Sequence, residues 1–219
     1  MKKIIFVRHG KTTWNLAKKF QGANADSPLL LSPEYLEDYA ALANYLQLFK
    51  IDSIYSSPIS RAKKTAELIT KSHKNLKQQP INTLPELAEL SFGDWEGCFK
   101  DEILAKYPTE FKSFSLRKDD PTLQAFNIEN FQQARLRFCN GIKKITTNLV
   151  DGQTALVVSH GAISQLGIKQ LTTNENLGGL ANLSLSVCTL RNEKYLLERY
   201  NETGFLKHPI IAQENTSIL

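Results

Sequence analysis

Apolar residues fall along this chain in two rhythms. Ile4-Ile5-Phe6-Val7 and Ala155-Leu156-Val157-Val158 are short continuous apolar runs, rich in β-branched residues, as expected of strands buried on both faces of a parallel sheet. Weaker runs at 51–56 and 80–84 predict two more strands, and runs at 183–190 and 194–200, joined by Arg191-Asn192-Glu193, predict a hairpin. Elsewhere apolar positions recur at helical spacing. Ser32 fits an N-cap and Pro33 a first helical residue. The helix that follows is expected to bury Leu36, Tyr39, Ala40, Ala43 and Tyr45 or Leu46, and to end near Phe49. Further helices are predicted at 59–71, 98–107, 109–114 and, the longest, 128–149, stopped by Asp151-Gly152. The stretches 18–28, which contains Gly22, Asn24 and Asp26, 85–97 and 115–126 read as loops, and the tail from 207 as loosely held. The alternation predicts one α/β domain.

Three of these elements meet chemistry at their ends. The first strand stops at Arg8-His9-Gly10, the strand at 51–56 leads through Ser56-Ser57-Pro58 to Arg61, and the strand from Thr154 ends in Ser159-His160-Gly161. An apolar core accepts no unpaired Arg or His, and the carboxyl ends of strands in open α/β sheets are where ligands bind. Gly10 would let backbone approach such a ligand. The bland alternative has Arg8 and His9 leaving the sheet for water, and Arg61 solvated among Lys63, Lys64 and Lys71. A cation in a helix's first turn opposes the macrodipole, however, which suits an anion ligand better than a surface residue. Two arginines, a protonatable histidine and helix N-termini at one sheet edge match the charge of a phosphate monoester. A histidine beside that phosphate can attack phosphorus, and a carboxylic acid is then wanted for the leaving oxygen. The loop at 85–97 offers Glu86, Glu89, Asp94 and Glu96, and spacing alone does not choose among them.

Composition narrows the partners. The 219 residues are 42% hydrophobic and 22% charged, ordinary for a globular domain, and the net charge of +5 is interspersed. Without a dense basic stripe interleaved with aromatics, nucleic acid is not expected as a partner. Cys98, Cys139 and Cys188 are odd in number and far apart, which predicts reduced thiols rather than a disulfide framework or zinc site. The four histidines are widely spread and form no ligand spacing, so no metal is expected. No signal-peptide or membrane-spanning pattern is present, and a cytoplasmic location is expected. Oligomeric state carries no sequence signal.

Arg8-His9-Gly10 followed by Thr13-Trp14-Asn15 resembles the signature of the histidine phosphatase superfamily, the phosphoglycerate mutase-like proteins. Ser56-Ser57-Pro58-Ile59-Ser60-Arg61-Ala62-Lys63-Lys64-Thr65-Ala66, Leu87-Ala88-Glu89-Leu90-Ser91-Phe92-Gly93-Asp94-Trp95-Glu96-Gly97 and Val158-Ser159-His160-Gly161 resemble its other blocks, in the family's order. The resemblance implies a three-layer α/β/α sandwich, its sheet mostly parallel with one antiparallel strand, over residues 1–206 with a tail at 207–219. It implies His9 as phosphorylated nucleophile, Arg8, Arg61 and His160 as ligands of the transferred phosphoryl group, and Glu89 as general acid. Asn15, Gln21, Gly22 and Gly161 match phosphate- or substrate-lining positions.

Lys11, Tyr35 and Phe205 depart from the usual pattern. Lys11 either adds charge at the mouth or, as surface lysines usually do, points to water. His73 and His208 match no block and read as surface residues, Trp14 and Trp95 as packing residues.

The activity implied is a metal-independent, histidine acid-type phosphatase acting on a small phosphorylated metabolite, with no cofactor. A phosphoglycerate mutase is the alternative. Ala162-Ile163 after Gly161 and Asn201-Glu202-Thr203-Gly204 favour hydrolysis, whereas Lys100 and Arg117-Lys118 fall where mutases carry basic residues. A non-catalytic phosphate-binding module would need neither His9 nor Glu89.

Overall fold

A computed structural model describes residues 1–23 and 27–209. Asn24 and Asp26 of the expected loop, and the tail beyond Pro209, lie outside the described residues. Six strands form one sheet: β1 (Lys2–Arg8), β2 (Ser53–Ser56), β3 (Ile81–Thr83), β4 (Thr154–Ser159), β5 (Leu185–Arg191) and β6 (Lys194–Glu202), in the order β3-β2-β4-β1-β5-β6. The β1–β4, β4–β2 and β2–β3 pairs are parallel, while β5 runs against both β1 and β6. A single reversed strand in a parallel sheet is the arrangement expected.

The continuous apolar runs follow from burial on two faces. Ile4, Phe6, Ala155 and Val157 face a core built with α7 (Phe131–Asn148) and α8 (Gly161–Thr172). Their neighbours Ile5, Val7, Leu156 and Val158 face the opposite core, under α2 (Pro33–Leu46) and α3 (Ser60–Ser72). Successive strand side chains point to opposite faces, so the runs 4–7 and 155–158 are apolar at every position. At the hairpin, Asn192 and Glu193 both take positive φ, 47° and 60°, the backbone of a two-residue turn that matches strand twist.

Three expectations are corrected. The buried stripe of α2 is Tyr39, Leu42, Ala43 and Leu46, while Leu36 and Ala40 are exposed and the helix ends at Leu46. Asp38 is buried beside that stripe because its carboxylate accepts the backbone N–H groups of Lys207 and His208, at 2.8 and 2.9 Å. The start of the tail is therefore tied down. His73 is not a surface residue but 3% exposed. It ends α3, its Nδ1 accepts the Asn75 N–H at 3.2 Å, and burial lowers its pKa.

The 85–97 segment holds two short 3-10 turns, Pro85–Leu87 and Gly93–Trp95, and α4 (Lys100–Lys106), α5 (Pro108–Ser115) and α6 (Pro121–Gln124) follow, the last inside an expected loop. Phe114 is the hub of this region, with ring centroids 5.0–5.9 Å from Phe92, Trp95, Phe20 and Phe131. Trp95 is fully buried there, as its packing role requires. Among the described residues no helix is long and apolar enough to cross a membrane.

Candidate active site

The end of β1 is wrapped by the segment before β5. Arg8 N–H donates to Ser184 O at 3.3 Å, Leu183 N–H donates to Arg8 O at 3.1 Å, and an Arg8 Nη donates to Leu180 O. Asn182 Nδ2 donates to His9 O at 3.0 Å and lies 3.4 Å from Asn15 Oδ1. Asn15 belongs to a capping box with Thr12 that opens α1 (Thr13–Leu16). These bonds fix the backbone on both sides of His9.

His9 Nδ1 lies 2.7 Å from Gly10 O, so that nitrogen carries the proton and Nε2 presents its lone pair. Arg61 Nε donates to that Nε2 at 3.3 Å, and Arg61 Nη2 donates to Gly22 O at 2.6 Å. Arg61 stands in the first turn of α3 yet is 2% exposed, which removes the reading of it as a solvated residue. Gly10 serves packing rather than ligand approach: a Cβ there would stand 1.8 Å from Tyr39 Oη. Gly10 N–H donates to Thr65 Oγ1 at 3.0 Å, and Thr65 in turn donates to Arg61 O at 2.7 Å.

His160 ends β4 with its ring centroid 5.1 Å from that of His9. Its Nε2 lies 2.7 Å from Ser57 Oγ, which accepts the Ile59 N–H at 3.2 Å. The Ser57 hydroxyl therefore fixes the orientation of the His160 ring by bonding its Nε2. The buried Nδ1 of that ring has no protein partner among the described residues. The Arg8 guanidinium lies over Gly161, at the start of α8.

Two of the four acids touch this cluster, Glu89 at the opening of α8 and Glu96 beside Gly22. The Glu89 carboxylate accepts the N–H groups of Ala162 at 3.1 Å and Ile163 at 2.8 Å, in the first turn of α8, and of Leu90 at 3.1 Å. Glu86 pairs with Lys144, Asp94 Oδ1 accepts from Asn127 at 3.0 Å, and Glu96 accepts the Phe92 and Ala23 amides at 2.8 and 2.9 Å. Gln21 Oε1 accepts from Ser27 Oγ at 2.8 Å and lies 3.0 Å from Thr12 Oγ1. All nine residues read from the sequence therefore lie in one connected cluster. Ser57, Thr65 and Asn182 were not singled out. Ser57 and Thr65 both lie within the block at 56–66, whereas Asn182 has no local signal.

Burial dominates the electrostatics. It lowers the pKa of His9 well below the ordinary value, with the Arg61 and Arg8 charges adding to the effect. His160 is lowered well below it by burial too, then by Arg61, His9 and Arg8. Burial also brings Arg8 and Arg61 down to about 10, against the pull of Glu89, so both stay charged near neutrality. Two neutral imidazoles between two cations make a site that attracts a dianion and offers a free imidazole nitrogen. Lys11 is 4% exposed, so its head does not stand in water. Among the described residues no three His, Cys, Asp or Glu side chains gather to hold a metal ion.

A family model described as "Histidine phosphatase superfamily (branch 1)" matches residues 4–203. The chain is 28% identical over 204 residues to a metal-independent phosphoserine phosphatase of Arabidopsis thaliana, covering 93% of this chain and 82% of that one. It is 28% identical over 160 residues to a 2,3-bisphosphoglycerate-dependent phosphoglycerate mutase of Bartonella henselae, covering 72% and 75%. Among solved structures, phosphoserine phosphatase from Entamoeba histolytica in complex with 3-phosphoglyceric acid superposes with a TM-score of 0.76 at 26% identity, covering 94% of this chain and all of that one. With a match that spans nearly the whole sheet and every strand end described above, this chain belongs to the histidine phosphatase superfamily, branch 1.

Proposed function

We propose that this protein is a metal-independent, histidine acid-type phosphatase that hydrolyses a small phosphorylated metabolite through a phosphohistidine on His9. The observation that carries the reading is the His9 ring, held at Nδ1 by Gly10 O at 2.7 Å while Nε2 keeps its lone pair beside Arg61. In the first step Nε2 attacks phosphorus, the bond from phosphorus to the leaving oxygen breaks, and Glu89 gives that oxygen a proton. Water then attacks the phosphohistidine and gives a proton back to Glu89. The P–N bond breaks, its electron pair returns to His9, and inorganic phosphate leaves. Arg8, Arg61 and His160 compensate the charge on the phosphoryl oxygens, with Asn15, Gln21, Gly22 and Gly161 lining the same space. The relatives' names favour an alkyl phosphate whose leaving group bears a carboxylate, such as phosphoserine or phosphoglycerate.

The test is a panel of phosphomonoesters, including phosphoserine, 3-phosphoglycerate and sugar phosphates, assayed for both free phosphate and isomerised substrate. Free phosphate, equal to the alcohol formed, is expected. Isomerisation without phosphate release would make the protein a mutase. No turnover and no labelled His9 with any ester would make it a binding module.

A further inference from the structure

The acid loop is held from behind by two residues that no part of the chemistry above uses. Arg137, on α7, donates through Nη1 to Glu86 O at 3.0 Å and to Ala88 O at 2.9 Å. Its Nε and Nη2 each reach the Glu129 carboxylate at 3.0 Å. Glu129 also accepts the Ser91 N–H at 3.1 Å, and its own N–H donates to Ser91 O at 3.0 Å. Glu89 lies between the two grips. On the same face of α7, one turn on, a Cβ at Gly141 would stand 2.7 Å from Glu86 Cβ, so the loop backbone rests directly on the helix. From the sheet side, Ser159 Oγ donates to Leu87 O at 2.8 Å.

We propose that the Glu129–Arg137 pair is a clamp that positions the Glu89 carboxylate, and that Arg137 is a positioning residue for the leaving-group step. Both side chains are about three-quarters covered, at 27% and 24% exposure, and four of the five guanidinium N–H donors are used. An isolated surface ion pair has no need of two main-chain carbonyls; a clamp does. Proton delivery is steep in geometry, since a displacement of about 1 Å in a reacting group costs on the order of 10²-fold in rate. The inference rests on Glu89 acting as the acid.

The experiment is single-turnover phosphorylation of His9 in Arg137→Ala, Arg137→Lys and Gly141→Ala, with phosphoserine as an alkyl ester and p-nitrophenyl phosphate as an aryl ester. Glu89→Gln and Glu89→Gln/Arg137→Ala serve as references. A well-placed acid matters most for the poorer leaving group. Arg137→Ala should lower the alkyl rate by about 10-fold or more beyond its effect on the aryl rate. Arg137→Lys, which keeps a donor for one carbonyl, should recover part of that loss. Gly141→Ala, which removes no polar group and only pushes the loop, should show the same leaving-group signature. In the Glu89→Gln background Arg137→Ala should add nothing to the alkyl loss. Equal losses on both esters, or losses that add to that of Glu89→Gln, would overturn the clamp. If Glu89→Gln itself shows no leaving-group dependence, the acid assignment falls and the clamp with it. Should Arg137→Ala fail to fold, Arg137→Lys and Gly141→Ala still decide the matter.

Discussion

Arg61 Nε points its N–H at His9 Nε2 across 3.3 Å, so the cation that should receive the phosphate rests on the lone pair that should attack it. The two residues are 52 positions apart, His9 directly after β1 and Arg61 in the first turn of α3. A phosphate dianion would give the guanidinium a stronger acceptor than a neutral imidazole, and so free His9 Nε2. On the proposed mechanism the substrate would thus uncover the group that attacks it, while the hydrogen bond from His9 Nδ1 to Gly10 O keeps the ring in one tautomer.

His9→Ala should abolish turnover and covalent labelling while the protein stays folded, because His9 ends β1 rather than filling a core. Wild-type protein quenched in alkali should carry an acid-labile phosphoryl group on His9, detectable by mass spectrometry. Full activity in His9→Ala would remove the nucleophile assignment.

Glu89→Gln should slow phosphorylation by an alkyl phosphate by roughly 10²–10⁴-fold, the usual range for a general acid. An aryl phosphate should suffer less in that step, although dephosphorylation slows for both. Rapid-quench kinetics separate the two steps. A small effect here with a large one at Glu86 or Asp94 would place the acid elsewhere in the loop.

Ser57→Ala should leave His160 Nε2 buried without its 2.7 Å partner. An unsatisfied buried nitrogen costs about 1–3 kcal/mol, and the ring loses the bond that holds its orientation. Denaturant unfolding should show the stability loss, and kcat should fall more than KM rises. Unchanged kcat would mean that His160 needs no help from Ser57.

Stability of the ligand-free protein should fall as the pH drops from 7 toward 5.5. His9 and His160 have folded-state pKa values pushed below the unfolded one by burial, so the unfolded chain takes up protons that the native site refuses. Their contribution is level above the unfolded value near 6.5 and is lost as the pH falls below it, by at most about 1.4 kcal/mol per pH unit for each ring. Urea unfolding across this range should give a shallower slope in His160→Asn than in wild type. Identical slopes would show that His160 titrates no differently in the folded protein.

What the sequence determined by itself is local. The runs Ile4–Val7 and Ala155–Val158 had to be doubly buried strands, because nothing in them tolerates water. Polar residues placed directly after such runs had to stand at the sheet's edge, which is why Arg8, His9, Arg61 and His160 were legible. Spacing alone left the acid open among four candidates, and family resemblance singled out Glu89. Tertiary structure placed Glu89 at the opening of α8, because the amides it accepts belong to Ala162 and Ile163, more than 70 residues on. Folding likewise buried Lys11 and His73, brought Asn182 to the His9 carbonyl across 173 residues, and set Arg137 behind the acid loop. Periodicity records which side of an element meets the core. It carries no record of which distant backbone group a polar side chain will satisfy, and in this site those long-range hydrogen bonds hold the reacting groups in place.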